Sequence, residues 1–236
     1  MQKQTITLNQ KIDSPSKEES FLIFDIQEDF EFKAWQFVMI TVNFNWTEIT
    51  RPYSIVSTPS ETKQNKQISF YVKKASENWA SYYLTQVIGP WDQVDIKWPV
   101  WHYVDNGNNK NYLFISTGCW VAPNLSLYKN IVYENWNYDK VVSMFSEKTS
   151  NNINRIIPET FSIYDKNIKN LFFLTREQKE NYYYWRITNY LTQNLEFFDN
   201  KKITVFLCGS PEMVDDIKPK LINYWISEEN ILSEKY

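Results

Sequence analysis

The hydrophobic rhythm of the chain changes once, near residue 105, and that change limits the architecture more than any other feature. Before it lie six short runs rich in β-branched and aromatic residues: Thr5–Leu8, Phe21–Ile26, Phe37–Phe44, Tyr53–Ser57, Ile68–Lys73 and Val94–Lys97. Polar turns separate them, and only Ser81–Val87 reads as helix, a pattern that predicts a small antiparallel barrel. After Asp105-Asn106-Gly107-Asn108-Asn109, a linker by composition, apolar runs alternate with helical periods. Tyr112–Ser116, Val141–Phe145, Leu171–Leu174 and Ile203–Cys208 read as buried strands. Pro123–Glu134, Ile153–Tyr164, Thr188–Leu195 and Pro211–Tyr224 read as the helices between them, which predicts a parallel α/β sheet. The domains expected are 1–104 and 110–236.

Composition excludes several classes. A net charge of −3 over 236 residues gives no basic face for nucleic acid. Cys119 and Cys208 are the two cysteines and His102 the sole histidine, too few for a disulfide framework, an iron–sulfur cluster, a histidine metal pair or a histidine triad. The polar start lacks a signal peptide's apolar run, and no segment reaches the roughly 18 apolar residues of a membrane span. A cytoplasmic protein is expected.

Glycine and tryptophan are out of proportion, at 4 and 10 residues, where average usage is about 7% glycine. Asn45-Trp46, Asn78-Trp79 and Asn135-Trp136 stand where Asn-Gly would mark a tight turn, and Pro90-Trp91-Asp92 reads like Pro-Gly-Asp. Exchanging tryptophan for glycine would restore an ordinary glycine content. Two readings follow: a protein with genuine aromatic clusters, or a gene whose UGA codons mean glycine and have been written as tryptophan. The wealth of Asn, Lys, Ile, Tyr and Phe fits the A+T-rich genome that the second reading requires.

Three stretches carry chemistry. Arg51-Pro52-Tyr53-Ser54 offers a guanidinium for a pyrophosphate, a ring for a flat heteroaromatic and a hydroxyl for its edge. Ser81 follows Asn78-Trp79-Ala80 at a helix start, where free amides suit a phosphate. Thr117-Gly118-Cys119-Trp120-Val121-Ala122-Pro123 lies between a strand and a helix, the context of a dinucleotide loop. Cys208-Gly209-Ser210-Pro211-Glu212-Met213 closes a strand and opens a helix.

In that order these stretches resemble the ferredoxin–NADP reductase superfamily over nearly the whole chain. Arg51, Tyr53 and Ser54 match its Arg-x-Tyr-Ser/Thr motif. Lys33-Ala34-Trp35-Gln36-Phe37 is similar to its Pro-Gly-Gln-Phe/Tyr segment, and the run from Pro90 to Trp101 to its Pro-Gly-Asp-x-Val-x-Ile-x-Gly-Pro-x-Gly. Tyr184-Trp185-Arg186-Ile187-Thr188 resembles Gly-Arg-Ile/Val-Thr. Trp120 falls on the glycine of Gly-x-Ala-Pro, and Trp225 on the glycine before the last strand. An L-residue in left-handed backbone costs about 1–2 kcal/mol, so half of the ten tryptophan positions together would approach the roughly 5–15 kcal/mol stability of a domain.

The resemblance implies a six-stranded antiparallel Greek-key barrel for FAD, followed by a Rossmann-like parallel α/β domain for NADP(H) or NAD(H). It implies hydride transfer from nicotinamide C4 to flavin N5. Arg51, Pro52, Tyr53, Ser54, Val72, Lys73, Trp79, Ala80 and Ser81 would hold the flavin; the spacing at Ser81 is one residue tighter than the usual Gly-x-x-Ser. Thr117, Gly118, Trp120, Pro123, Lys148, Thr175, Arg176, Arg186, Cys208, Gly209 and Met213 would hold the nicotinamide dinucleotide, the arginines selecting NADP. Ser54, Cys208, Glu234 and Tyr236 would shape the transfer site, with Tyr236 covering the flavin. Cys119 is read as structural and His102 as a linker residue near the adenine. Electrons would pass to ferredoxin, flavodoxin or a partner enzyme. The alternatives are an electron-transfer subunit of a larger redox complex, or a non-enzymatic relic if the tryptophans are genuine.

Overall fold

The computed structural model describes residues 2–27, 31–77, 79–100, 109–135, 138–198 and 202–235. Asn78, Trp101, His102, Trp136 and Tyr236 lie outside the described residues, as does most of the expected linker.

The amino-terminal half is a sheet of β1 (Gln2–Asp13), β2 (Glu19–Asp25), β3 (Phe37–Phe44), β4 (Thr47–Ser54), β5 (Gln67–Lys73) and β6 (Gln93–Val100). All pairings are antiparallel, in the order β4-β3-β6-β1-β2-β5. An antiparallel bridge from Ile55 to Phe70 joins the two edges and curls the sheet into a barrel. Strand alternation turns Ile6, Leu8, Leu22, Phe24, Val38, Ile40 and Ile96 into its interior. The expected strand Tyr53–Ser57 is displaced: β4 starts at Thr47 because the Asn45-Trp46 hairpin pairs Thr47 directly with Phe44. Helix α1 (Pro59–Asn65) was not expected, since Glu61–Asn65 has no apolar period. Its signal was the cap, with Thr58 and Glu61 forming a capping box ahead of it. Helix α2 (Ala80–Tyr82) continues as a π-turn over Tyr83–Val87.

The carboxy-terminal half carries β7 (Asn111–Thr117), β8 (Lys140–Glu147), β9 (Ile168–Leu174), β10 (Tyr183–Tyr184), β11 (Ile203–Gly209) and β12 (Ile231–Lys235). They form a wholly parallel sheet in the order β10-β9-β8-β7-β11-β12. Helices α3 (Ala122–Tyr128), α4 (Ile156–Thr160), α5 (Leu191–Leu195) and α6 (Pro211–Asn223) connect the strands. The expected helix Ile153–Tyr164 contracts to α4. Pro158 is tolerated only in a first turn, and Asn154 instead spends its side chain on the Ile12 carbonyl at 2.7 Å and the Ile156 amide at 3.2 Å. Helix Thr188–Leu195 likewise splits into a 3-10 turn (Ile187–Asn189) and α5.

Strand order reverses between β7 and β11, because the chain fills one side of β7 before returning to its other side. In a parallel sheet such a switch point opens a crevice at the carboxyl ends of the strands. The two halves share one apolar cluster, in which Phe21, Trp35 and Tyr71 of the barrel pack with Tyr112, Phe114, Phe206 and Cys208.

Five of the eight described tryptophans have positive φ: Trp35 (78°), Trp46 (62°), Trp91 (76°), Trp185 (105°) and Trp225 (70°). Trp46, Trp91 and Trp225 project into solvent at 107, 77 and 83% exposure. Trp79 has ordinary extended backbone at the start of α2, so the turn expected at Asn78-Trp79 is not left-handed at Trp79.

Candidate functional site

The end of β4 forms one wall of a cleft of about 440 Å³ between the halves. Alternation along β4 sends Arg51 and Tyr53 to one face of the strand. Burial pushes the Tyr53 phenol above its ordinary range, opposed by Arg51 and, less strongly, by the Ser81 hydroxyl. The Arg51 guanidinium lies 5.1 Å from the centre of the Trp79 ring and donates to the Thr50 carbonyl at 2.8 Å. Pro52, Ser54, Val72 and Lys73 complete this side, and Cys119, Trp120 and Pro123 line the opposite one. Ala80 is buried in the barrel core rather than in the cleft.

The loop after β7 separates this cleft from a second. Gly118 supplies its left-handed residue at φ 55°, Gly118–Val121 turn as a 3-10 helix, and α3 follows. Asn124 pins the loop over the switch point by donating to the carbonyls of Ile115 on β7, at 3.2 Å, and Phe206 on β11, at 3.4 Å. The second cleft, about 310 Å³, lies at the carboxyl ends of the parallel strands. Thr117, Thr175, Arg186 and Met213 line it, as expected residues; Thr188, Ser210 and Glu212, named in sequence only as members of their motifs, line it too, and Ser146 lines it without having been named. Ser146 carried a weak signal, a small polar residue at the end of a buried strand. Ser210 caps α6 by accepting from the Met213 amide at 3.3 Å. A Cβ on Gly209 would stand 2.1 Å from Met213 Cε and 3.1 Å from Thr117 Oγ1, so a side chain there would have to displace the Met213 thioether. Lys148 and Arg176 are exposed and joined through the backbone at 2.9 Å, but line neither cleft.

Cys208 and Glu234 are register partners on β11 and β12. Both are buried, at 0 and 7% exposure, and they line neither cleft. Trp35 lies over this corner: its indole donates to Glu234 Oε1 at 2.6 Å and its ring is 5.1 Å from that of Phe206. Burial first, and Glu234 second, push the Cys208 thiol well up. Cys119 is also held as a thiol, pushed up to about 12 by burial and then by Glu19; it packs against the core shared by the halves and lines the first cleft.

A buried charge cluster lies beneath the Gly118 loop. Lys73 Nζ is 2.8 Å from Glu19 Oε1 and 3.2 Å from Glu147 Oε1, and Tyr71 donates its hydroxyl to Glu19. A Cβ on Gly118 would meet Glu147 Oε2 at 3.5 Å. The cluster was invisible in sequence because its carboxylates sit on β2 and β8, one in each half.

No family model matches the chain. Its sequence is 23% identical over 216 residues to the phenol hydroxylase P5 protein of Acinetobacter pittii, covering 89% of this chain and 59% of that protein; the chain thus spans well under two thirds of that relative. Among solved structures, a ferredoxin NADP+ reductase from Neisseria gonorrhoeae with bound FAD and NADP superposes with a TM-score of 0.80 at 17% identity, over 94% of this chain and 92% of that one. The flavohem-like FAD/NAD-binding domain of a nitric oxide dioxygenase from Vibrio cholerae gives 0.82 at 14%, with 98% of each chain covered. The cytochrome b5 reductase domain of Ulva prolifera nitrate reductase gives 0.79 at 16%, over 100% of this chain and 97% of that domain. The chain has the two-domain fold of that ferredoxin NADP+ reductase, a barrel joined to a parallel sheet, over nearly all of its length.

Proposed function

We propose that the protein is an FAD-dependent NAD(P)H oxidoreductase that passes electrons on to a protein or small acceptor. The observation that carries this reading is the convergence of Arg51, Pro52, Tyr53, Ser54 and Ser81 with Trp120, Ala122 and Pro123 on one cleft, beside a second cleft at the switch point. The first cleft fits a flavin: an aromatic ring and a hydroxyl stand in sequence with a guanidinium. The second fits a dinucleotide: hydroxyls of Thr117, Thr175 and Ser210 surround the start of α6, with Arg186 as the cation.

Bound FAD would supply the redox chemistry, accepting a hydride at N5 and releasing electrons singly or in pairs. The chain's part is positional. Tyr53 would present its ring to the flavin; Arg51 would neutralise the pyrophosphate; Ser54 would hydrogen-bond the flavin edge. Gly118 and Gly209 would let backbone approach the dinucleotide, and Arg186 would favour a 2′-phosphate. Cys208 and Glu234 would border the nicotinamide. Ferredoxin, flavodoxin or a partner enzyme is the acceptor class, and the likeness to a phenol hydroxylase P5 protein favours the partner enzyme.

The test is a visible spectrum of the purified protein after incubation with FAD, before and after NADPH or NADH under anaerobic conditions. Flavin absorbance that copurifies and is bleached by either dinucleotide supports the reading. A folded protein that takes up no flavin overturns it.

A further inference from the structure

The five left-handed tryptophans occupy backbone motifs that share a single requirement. Asn45 and Trp46, at φ 50° and 62°, form the two-residue turn between Phe44 and Thr47, a type I′ hairpin whose second residue is characteristically glycine. Gly89-Pro90-Trp91-Asp92 closes with a bond from the Asp92 amide to the Gly89 carbonyl at 3.1 Å, with Pro at the second position and Trp91 at the third, the glycine position of a type II turn. Lys33-Ala34-Trp35-Gln36 repeats that geometry, with a 3.1 Å bond from the Gln36 amide to the Lys33 carbonyl. At the end of α6 the Ile226 amide reaches the Leu221 carbonyl at 3.2 Å and the Trp225 amide reaches Ile222 at 2.9 Å, a Schellman motif with Trp225 at its left-handed position. Trp185, at φ 105°, lies outside the left-handed well that asparagine tolerates.

Ordinary chains fill these places with Gly, Asn or Asp, and the other positive-φ non-glycine residues described here, Lys17, Asn45, Lys66 and Asn181, include two asparagines. Nothing compensates most of the indoles. Trp46, Trp91 and Trp225 are among the most exposed large side chains described, and Trp185 is half exposed. Of these five, Trp35 alone is buried, and its indole is wedged between Phe206 and Glu234.

We infer that the working polypeptide carries glycine at positions 35, 46, 91, 185 and 225, the residues being specified by UGA codons that the source organism reads as glycine. The backbone argument is independent of the proposed activity. One consequence rests on that activity: with glycine at 35, the indole leaves the corner of Cys208 and Glu234, where the nicotinamide would sit.

The first arm of the test is tandem mass spectrometry of peptides from the protein purified out of its source cells. Glycine at the five positions is expected, and tryptophan there overturns the inference. The second arm compares the recombinant chain as written with a form carrying W46G, W91G, W185G and W225G, the exposed sites; Trp35 is kept, because deleting its buried indole would add a cavity cost of its own. Glycine normally destabilises a folded chain, but at these four sites it should raise the melting temperature by roughly 2–8 °C per site. Tyr164→Gly, equally exposed at 102% on ordinary backbone, should lower it or leave it unchanged. An unchanged or lower melting temperature for the four-site form overturns the inference. Because melting temperature needs no cofactor, failure of flavin binding in the same preparations would count against the proposed activity alone.

Discussion

Lys73 and Glu147 meet at 3.2 Å, and this contact ties the last residue of a barrel strand to the last residue of a strand in the parallel sheet. Lys73 also holds Glu19, fully buried on β2, at 2.8 Å. One cation thus serves two carboxylates directly under the loop that separates the clefts.

Removing that cation should be costly. Breaking a buried pair from one side leaves an unpaired charge and costs about 3–5 kcal/mol. The Lys73 side chain is 28% exposed, so Lys73→Met should cost roughly 2–3 kcal/mol after allowance for solvent screening. Urea denaturation with both probes of tertiary structure and far-ultraviolet dichroism would measure it. A loss below about 1 kcal/mol would show that the cluster does not hold the halves together.

The cluster also gives stability a pH dependence of defined sign. Burial raises the Glu19 carboxyl above its ordinary value of 4.5, outweighing Lys73. The folded chain therefore binds this proton more tightly than the unfolded chain, and the Glu19 contribution is largest below 4.5 and falls as pH rises through the raised value. Lys73 is raised as well; its contribution holds below 10.5 and is lost only as pH rises beyond, so it does not act in the same window. Glu19→Gln should gain stability relative to the parent as pH goes from about 5 to about 8. Melting curves at both ends of that range would decide it, and a constant difference between the two proteins would contradict the assignment.

Arg51 and Tyr53 should separate in a flavin titration. Arg51→Ala removes a charge-assisted contact worth about 1.5–3 kcal/mol, so the FAD dissociation constant should rise by roughly 10–150-fold. FMN, which lacks the pyrophosphate, should be far less affected. Tyr53→Ala should weaken both flavins alike. Equal losses of FAD and FMN in the Arg51 variant would place the guanidinium away from the pyrophosphate.

Of the candidate phosphate-binding cations, Arg186 lines the second cleft whereas Lys148 and Arg176 do not. Arg186→Ala should lower kcat/KM for NADPH by about 10–100-fold while changing that for NADH little, whereas Lys148→Ala should change the NADPH to NADH ratio by less than about threefold. Steady-state reduction of an artificial acceptor would show the contrast. If Lys148→Ala shifts the ratio and Arg186→Ala does not, the phosphate lies on the other rim.

Features under short-range geometric control were legible in the residues alone. Strand alternation and buried apolar runs announced an antiparallel barrel and then a parallel sheet, because side-chain period depends on a few neighbouring residues. The turns at Asn45-Trp46 and Pro90-Trp91 were legible for the same reason, as φ is set within one peptide unit. Arg51, Tyr53 and Ser54 could be read as a group because one strand end carries all three. Tertiary structure alone decided the rest. The extent of α4 depended on Asn154 finding Ile12, 142 residues away, and the placing of Trp35 on Glu234 spans 199 residues. Which arginine faces the second cleft, and that Glu19 and Glu147 share Lys73, followed from strand order and from the packing of two halves. No local period encodes those distances, since they arise only when sheets register and bury their charges together.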